Sequence, residues 1–298
     1  MNQAPSGEQY TIQEAGYTAV VTELGATLRT LHYQDRPLLV GFAEDELRPQ
    51  YRGAWLAPWP NRIADGRYEF RGVQHQLPIN EPELNNAIHG LVAWLPWQRV
   101  WHAPDRVELA VRLLPQDGYP FWLELTASYT VSANGLHSSL EAHNYGPIDL
   151  PYGCAPHPYL YAGSGTVDDW TLYVPAASYL ELSERDLPIE RRDVAGTPWD
   201  FRSPRRIGEA KLDVPYTSLE GSEALLHTDD GHGVALGWDE SCSWLQVFTS
   251  DFPGSPYHRR GLAVEPMTCP HDAFNSGTDV VVLGPGDRHR ATWSLRAL

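Results

Sequence analysis

Four short segments of the sequence carry residues that could bind a polar substrate or move protons. Arg62 follows Pro58-Trp59-Pro60-Asn61, and His89 stands in Asn85-Asn86-Ala87-Ile88-His89-Gly90. His157 lies between two prolines, and Glu265 ends the apolar run Leu262-Ala263-Val264. An arginine offers forked donors that can hold vicinal hydroxyls, while imidazole and carboxylate groups exchange protons. These residue types together indicate acid–base chemistry on a small polar molecule.

The settings of His157 and Glu265 suit proton transfer. Pro156 and Pro158 fix the backbone around His157, and an imidazole pKa of about 6.5 suits transfer near neutral pH. Glu265 ends an apolar strand, and partial burial there would raise its pKa and make it a better base near pH 7. Each residue also has a plain structural explanation, a stiffened loop for His157 and an exposed strand end for Glu265.

Several other chemistries lack their motifs. The 12 histidines form no His-Glu-x-x-His or similarly spaced set, so no metal site is expected. The three cysteines are too scattered for a disulfide framework or a zinc knuckle. Cys154, three residues before His157, is only a weak candidate nucleophile, because a reactive thiol needs a niche that lowers its pKa.

Short runs with strand-like alternation follow one another along the whole chain, and no βαβ pattern appears. Asn134-Gly135 between two such runs predicts a hairpin, and Arg71-Gly72 predicts a second, shorter one. The charged, proline-containing stretch 184–206 is interpreted as a surface loop. The sequence therefore predicts an all-β antiparallel sandwich or barrel, built as one domain over residues 1–298. The predicted strands are Tyr17–Thr22, Thr27–Tyr33, Trp97–His102, Arg106–Leu113, Trp122–Val131, Leu136–His143, Gly233–Trp238, Trp244–Thr249, Leu262–Glu265 and Asp279–Leu283.

Charge and hydropathy narrow the range of partners. The 298 residues include 38 acidic and 22 basic side chains, a formal net charge of −16 that opposes binding to nucleic acid or an anionic membrane. No apolar run approaches the roughly 18 residues of a membrane span, and the first residues do not resemble a secretory signal. A cytoplasmic protein with a small-molecule partner is expected, and the oligomeric state stays open.

The four segments, in this order, resemble the aldose 1-epimerase family of the galactose mutarotase type. The similar stretches are Pro58–Ile63 with Gly66–Tyr68, Ile88–Gly90, Pro156–Tyr159 and Val264–Asn275. The resemblance runs from about residue 10 to the C-terminus. It implies a large antiparallel β-sandwich that interconverts the α and β anomers of a free aldose without a cofactor.

The resemblance also implies roles for individual residues. Glu265 matches the general base and His157 the general acid of the family, while Arg62 and His89 match substrate-binding positions. Asp213, in a less distinctive stretch, matches an aspartate that binds sugar hydroxyls. The remaining residues expected to contact the sugar are Asn61, Gln246 and Phe248.

Two other functions remain open on the same fold. A hexose-6-phosphate 1-epimerase would need more basic residues around the site, since arginine forks also bind phosphates. A non-catalytic sugar-binding protein would not need both proton-transfer groups. A glycoside hydrolase would require two carboxylates flanking the bond, whereas a Glu–His pair better suits ring opening.

Overall fold

The computed structural model describes residues 4–298, and antiparallel β-strands dominate it. Short stretches alternate buried and exposed side chains, which is the pattern of a strand with one face on a core. In chain order the strands are β1 (Gln9–Glu14), β2 (Tyr17–Thr22), β3 (Leu28–Tyr33), β4 (Arg36–Pro37), β5 (Trp55–Leu56), β6 (Arg62–Ala64), β7 (Arg67–Phe70), β8 (Val73–Gln76), β9 (Asn86–Ile88), β10 (Gln98–Ala103), β11 (Arg106–Leu113), β12 (Leu123–Ser132), β13 (Gly135–Asn144), β14 (Leu150–Tyr152), β15 (Ala155–Pro156), β16 (Tyr159–Leu160), β17 (Thr171–Tyr173), β18 (Ala176–Leu182), β19 (Pro188–Asp193), β20 (Arg205–Arg206), β21 (Asp213–Leu219), β22 (Glu223–His227), β23 (Gly233–Trp238), β24 (Trp244–Phe248), β25 (Leu262–Met267), β26 (Val281–Leu283) and β27 (Arg288–Ala297).

Two large sheets form the body of a β-sandwich, as the sequence predicted. One sheet has nine strands in the order β10-β11-β12-β13-β27-β23-β22-β17-β20, and the other has six in the order β16-β25-β24-β21-β18-β19. A four-stranded sheet, β1 to β4, covers the N-terminal part. Buried side chains from both large sheets, such as Leu125 and Val247, belong to one contiguous hydrophobic cluster. Burial of this apolar surface is the main force that holds the sheets together.

The predicted long hairpin is confirmed as β12 and β13. Ser132 pairs with Gly135, so the turn consists of Ala133 and Asn134 rather than of Asn134 and Gly135. Gly135 has a φ of 102°, and a Cβ there would lie 2.2 Å from the Leu295 carbonyl oxygen. Only glycine fits this position, because L side chains rarely adopt that backbone and the neighbouring strand leaves no space. The shorter predicted hairpin is confirmed as β7 and β8.

The interpretation of residues 184–206 as a surface loop is wrong. Residues Pro188–Asp193 form β19, an edge strand that pairs with β18, and Arg205–Arg206 form β20 at the edge of the nine-stranded sheet. Val194 and Phe201 between them are buried in the core. Charged side chains at the edge of a sheet discourage pairing with other chains, so the charge of this stretch is compatible with a strand.

The structure also contains strands that the sequence pattern did not reveal. The strand around Glu265 continues through Pro266 to Met267, although proline usually stops a central strand. The backbone N–H groups of Val264 and Thr268 donate to the carbonyls of Pro158 and Cys154. The N–H that Pro266 lacks would point to this same side of β25, where the strand is only sparsely paired. The other unpredicted long strands are β1, β18, β21, β22 and β27.

Helices contribute little to the described chain. The α-helix α1 spans Ala273–Ser276, and a 3₁₀ turn spans Val167–Asp169. Within residues 4–298, no helix has the length and apolar character needed to cross a bilayer.

Candidate active site

A cleft of about 310 Å³ opens at one face of the six-stranded sheet, at the lower end of the size range of small-molecule sites. The structure brings all eight residues singled out from the sequence to the wall of this cleft. The lining residues are Gln50, Tyr51, Asn61, Arg62, Asn80, Glu81, Glu83, Ile88, His89, His157, Tyr159, Asp213, Gln246, Phe248, Phe252 and Glu265.

Strand register explains how the sheet presents four of these residues together. Gln246 on β24 lies directly opposite Glu265 on β25, and Phe248 lies opposite Asp213 on β21. Gln246 and Phe248 are two residues apart, so they point to the same face of the sheet. Cross-strand partners share a face as well, which places all four side chains on the cleft side. The Gln246 amide also bridges to the Asp213 carboxylate.

His157 is held rigidly beside Glu265. Its backbone N–H donates to the Ala54 carbonyl at 3.0 Å, and its carbonyl accepts from the Gly53 N–H at 2.8 Å. The imidazole stacks on the Tyr159 ring, with centroids 5.1 Å apart and planes 4° from parallel. Its Nε2 lies 3.4 Å from Glu265 Oε1. The flanking prolines and the stacked ring leave the imidazole little freedom to turn away from the carboxyl group.

Two short strands carry the other predicted sugar contacts to the cleft. β6 pairs with β9, so Arg62 lies opposite Ile88, and the His89 amide donates to the Asn61 carbonyl at 2.9 Å. Asn61 and His89 have positive φ values of 52° and 64°. Gly90 follows, where a Cβ would lie 2.1 Å from the Ala57 carbonyl oxygen. This tight crossing brings the loop of residue 61 and the His89 ring to the same wall.

Ion pairs already occupy most of the Arg62 guanidinium. Its Nε and Nη2 donate to the Glu81 carboxylate at 2.9 to 3.1 Å, and Nη2 lies 3.2 Å from Asp186 Oδ2. Nη1 makes one contact, at 3.3 Å, to the Asn61 side-chain oxygen. Arg62 therefore cannot offer two parallel N–H donors to vicinal hydroxyls, as the sequence suggested. Only Nη1 has donor capacity left for a ligand.

Burial moves the pKa values of Glu265 and His157 in opposite directions. Desolvation and the nearby Asp213 carboxylate raise the pKa of Glu265 well above its usual 4.5, and the positive charge of Arg62 opposes this shift. Desolvation lowers the pKa of His157 to about 3, and the Arg52 and Arg48 cations add to the effect. The ordinary histidine pKa expected from the sequence is thus wrong. The pair prefers an uncharged form, with the proton on the carboxyl group.

Three atoms of this centre have no hydrogen-bond partner among residues 4–298. They are Glu265 Oε2, His157 Nδ1 and His89 Nδ1, and all three are buried. The His89 ring packs edge-on against His157, with centroids 5.3 Å apart. Buried polar atoms are usually paired, so these three atoms lack the hydrogen bond that such atoms normally make.

The sequence pattern missed several residues that build the cleft. Tyr51 packs against His89, Glu81 and Asp186 hold Arg62, and His271 contacts Gln246. No local pattern marked Glu81 or Asp186, since their function depends on a partner distant in sequence. His271 stood within the segment that carried the family resemblance, which was the one available signal.

The minor alternatives from the sequence find no support in the structure. Cys154 is buried, and desolvation raises the pKa of its thiol to about 12, so it lacks thiolate character. Across residues 4–298, no group of three or more His, Cys, Asp or Glu side chains has the arrangement of a metal site.

Comparisons with known proteins agree with the fold and with the family resemblance. The sequence model of the aldose 1-epimerase family matches residues 8–296. The chain is 34% identical to the uncharacterized protein YihR of Escherichia coli K12, over 97% of this chain and 93% of that protein. It is 25% identical to the galactose mutarotase of Sus scrofa, over 97% and 95% of the two chains. The fold matches that of a GalM/aldose epimerase homologue from C. elegans with a TM-score of 0.86 and 24% identity, covering 98% and 99% of the two chains. The chain therefore belongs to the aldose 1-epimerase family.

Proposed function

We propose that this protein is a mutarotase that interconverts the α and β anomers of a free hexose such as glucose or galactose. The observation that carries the proposal is the buried Glu265–His157 pair, with 3.4 Å between Oε1 and Nε2 at the wall of the cleft. Both residues line the cleft, and one buried atom of each has no protein partner among residues 4–298. The domain is proposed to span residues 1–298, of which 1–3 lie outside the described part, and to act in the cytoplasm.

The proposed mechanism opens and closes the sugar ring by two coupled proton transfers. Glu265 removes the proton of the C1 hydroxyl while His157 delivers a proton to the ring oxygen, and the ring opens to an aldehyde. Rotation about C1–C2 presents the other face of the carbonyl. On closure His157 takes its proton back from the former ring oxygen, and Glu265 returns one to the oxygen on C1. The pair ends with the protons it began with, and each such transfer is worth roughly 100- to 10,000-fold in rate.

Arg62, His89, Asp213, Asn61 and Gln246 are proposed to bind the hydroxyl groups, and Phe248 to pack against the sugar. Arg62 Nη1 and the unpartnered His89 Nδ1 supply polar contacts on one side of the cleft. Asp213 and Gln246 supply them on the sheet side. These groups would hold the ring so that its reacting atoms face the Glu265–His157 pair, and such positioning accounts for a large part of a catalysed rate.

A free sugar fits the charges of the cleft better than a sugar phosphate. Four carboxyl groups line the cleft, and Glu81 and Asp186 already neutralise the Arg62 guanidinium. A phosphate would therefore meet carboxylates without a free arginine fork to bind it. The four lining carboxyl residues are Glu81, Glu83, Asp213 and Glu265.

Polarimetry on freshly dissolved sugars tests the proposal directly. The protein should accelerate the drift of α-D-glucose or α-D-galactose to equilibrium in proportion to its concentration, and a sugar-binding protein without catalytic function would not. Glucose 6-phosphate in a parallel assay separates free hexoses from phosphorylated ones. Faster mutarotation of the phosphate than of either free sugar would contradict the proposed substrate.

A further inference from the structure

His271 is a buried residue that contacts two parts of the site. It lies in the segment Cys269-Pro270-His271-Asp272, and none of its surface is exposed. Its Nδ1 lies 3.0 Å from the carbonyl oxygen of Asp186, whose side chain binds Arg62. Its Nε2 lies 3.0 Å from the side-chain amide of Gln246. The ring thus connects the residues around Arg62 with the sheet residues that face the sugar.

The contact with Asp186 restricts where the His271 proton can lie. A backbone carbonyl oxygen only accepts hydrogen bonds, so Nδ1 must carry a hydrogen to make this contact. A neutral imidazole has one N–H, and Nε2 then carries a lone pair that needs a donor. The Gln246 amide can supply this donor by presenting its NH₂ end, because the two ends of an amide have nearly the same shape.

The orientation of the Gln246 amide in turn determines whether the Asp213 carboxyl group must carry a proton. The far end of the amide lies at hydrogen-bond distance from Asp213 Oδ1. If the NH₂ group faces His271, the amide oxygen faces Asp213, and a hydrogen bond there requires a protonated carboxyl group. If the NH₂ group faces a carboxylate at Asp213, the amide oxygen faces His271, which must then carry a hydrogen on Nε2. The two arrangements with all contacts satisfied differ by one proton moved from Asp213 to His271.

The surrounding charges favour the arrangement with a neutral His271. Complete burial lowers the pKa of His271 to about 3, and the nearby Arg62 cation acts in the same direction. Crowding by protein raises the pKa of Asp213 to about 6, although solvent reaches the carboxyl group through the open cleft. A bound sugar would displace that solvent and strengthen the shift. The ionisable groups that face either residue are Arg62, Glu81, His89, Tyr159, Asp186 and Glu265.

We propose that His271 is a positioning residue of the sugar site, which sets through Gln246 whether Asp213 meets a sugar hydroxyl as a neutral carboxyl group or as a carboxylate. The neutral Nδ1–H form of His271 turns the NH₂ group of Gln246 towards the ring. Asp213 then keeps its proton below neutral pH and donates it to the Gln246 amide oxygen, so its second oxygen meets the sugar hydroxyl as an uncharged acceptor. The sugar as ligand rests on the proposed function, whereas the proton arrangement follows from the contacts of His271 and Gln246 together with the charges around them.

Nitrogen-15 NMR of the histidine rings tests the arrangement in the wild-type protein without any sugar. The signal of His271 is identified as the one missing from a His271→Gln or a His271→Asn variant. At pH 5 we expect its Nδ1 to carry the hydrogen and its Nε2 to be bare. An Nε2–H form or a doubly protonated ring at pH 5 would overturn the proposal, whatever the activity of the protein.

Kinetics of the two variants test the effect on sugar binding. His271→Asn keeps a donor near the Asp186 carbonyl but leaves one end of the Gln246 amide without its partner, so KM for D-galactose should rise about tenfold, as expected for one lost hydrogen bond. Its kcat should stay within about twofold, because the Glu265–His157 pair is untouched. His271→Gln extends an amide to Gln246 and should restore KM to within about threefold of wild type.

The pH dependence of KM separates this role from a merely structural one. In wild type KM should change with pH as Asp213 gains or loses its proton, and Asp213→Asn should remove this change. His271→Asn should shift the pH at which KM changes. A fall of kcat at constant KM in the histidine variants, or an unchanged pH profile of KM, would overturn the proposal. Failure of the proposed function would instead appear as the absence of sugar mutarotation in wild type.

Discussion

Replacement of Glu265 by Gln separates catalysis from folding at the centre of the site. The side chain keeps its shape, and its amide can donate to His157 Nε2, which lies 3.4 Å from Glu265 Oε1. The variant cannot accept or return the proton of the C1 hydroxyl. Loss of one positioned proton-transfer group should reduce turnover by roughly 100- to 10,000-fold, which is about 3 to 5 kcal/mol of transition-state stabilisation.

The same substitution should stabilise the folded protein. Burial raises the pKa of Glu265 above its value of 4.5 in the unfolded chain, so the folded state holds a proton that the unfolded state releases. The stability that this group contributes is present below pH 4.5 and is lost as the pH rises towards the folded-state pKa. A tenfold difference in proton affinity between the folded and unfolded states corresponds to about 1.4 kcal/mol. Glu265→Gln has no such loss of stability, so the difference in unfolding free energy between this variant and wild type should grow from pH 4.5 to pH 8.

Polarimetry and chemical unfolding of the same preparations give both readouts. Glu223→Gln is a matched control, because Glu223 forms a surface ion pair with Arg296 on the nine-stranded sheet, and such pairs contribute at most about 1 kcal/mol. Its turnover should stay within about twofold of wild type. Turnover of Glu265→Gln within threefold of wild type would refute the proposed role of Glu265. A variant that is less stable than wild type at pH 8 would refute the description of a buried carboxyl group whose ionised form is disfavoured.

Three further changes probe the charges around the pair. Because the pKa of His157 falls to about 3, kcat of the wild type at saturating sugar should not decline between pH 7 and pH 5, and a half-maximal point near pH 6.5 in the pH profile of kcat would contradict this. Arg62→Lys keeps a positive charge but loses the two-pronged contact with Glu81, so KM should rise about tenfold in a polarimetric assay. Arg62→Met should also lower kcat, because it removes a cation that favours the ionised form of Glu265. The unfolding free energy of wild type should decrease as the pH falls from 6.5, because buried neutral histidines take up protons only when the chain unfolds. In denaturant titrations of His271→Gln this decrease should be smaller, by roughly 1 kcal/mol per pH unit.

Local patterns predicted those strands whose alternation is visible in a single segment. β2, β11 and β23 have the bounds that the sequence predicted, and in β11 buried and more exposed side chains alternate along the whole strand because one of its faces lies on the core. β19 escaped prediction because it lies at an edge, where most of its side chains are exposed and charge is tolerated. Pro266 hid the end of β25, since only the tertiary structure shows that residue 266 needs no N–H there.

In the site, too, a single segment shows the residue types, whereas only the folded chain shows their surroundings. The types of Glu265, His157 and Arg62 already indicate proton transfer and hydroxyl binding. The shifted pKa values of the first two depend on burial and on neighbours more than fifty residues away along the chain. Likewise the carboxylates that occupy Arg62 come from residues 81 and 186, and no spacing rule connects them to it.

The position of one proton links the electrostatics of the cleft to its proposed chemistry. Burial favours a neutral His157 and a protonated Glu265, whereas a Glu265 base and a His157 acid require the proton on the imidazole. The two forms contain the same number of protons and differ by a transfer across 3.4 Å. The positive charge of Arg62 opposes protonation of Glu265, and hydroxyl groups of a bound sugar would solvate the carboxylate further. Arg62 and a bound sugar thus favour the form with the proton on the imidazole, from which the pair can give and take protons in both directions, as a reaction that opens and closes the same ring requires.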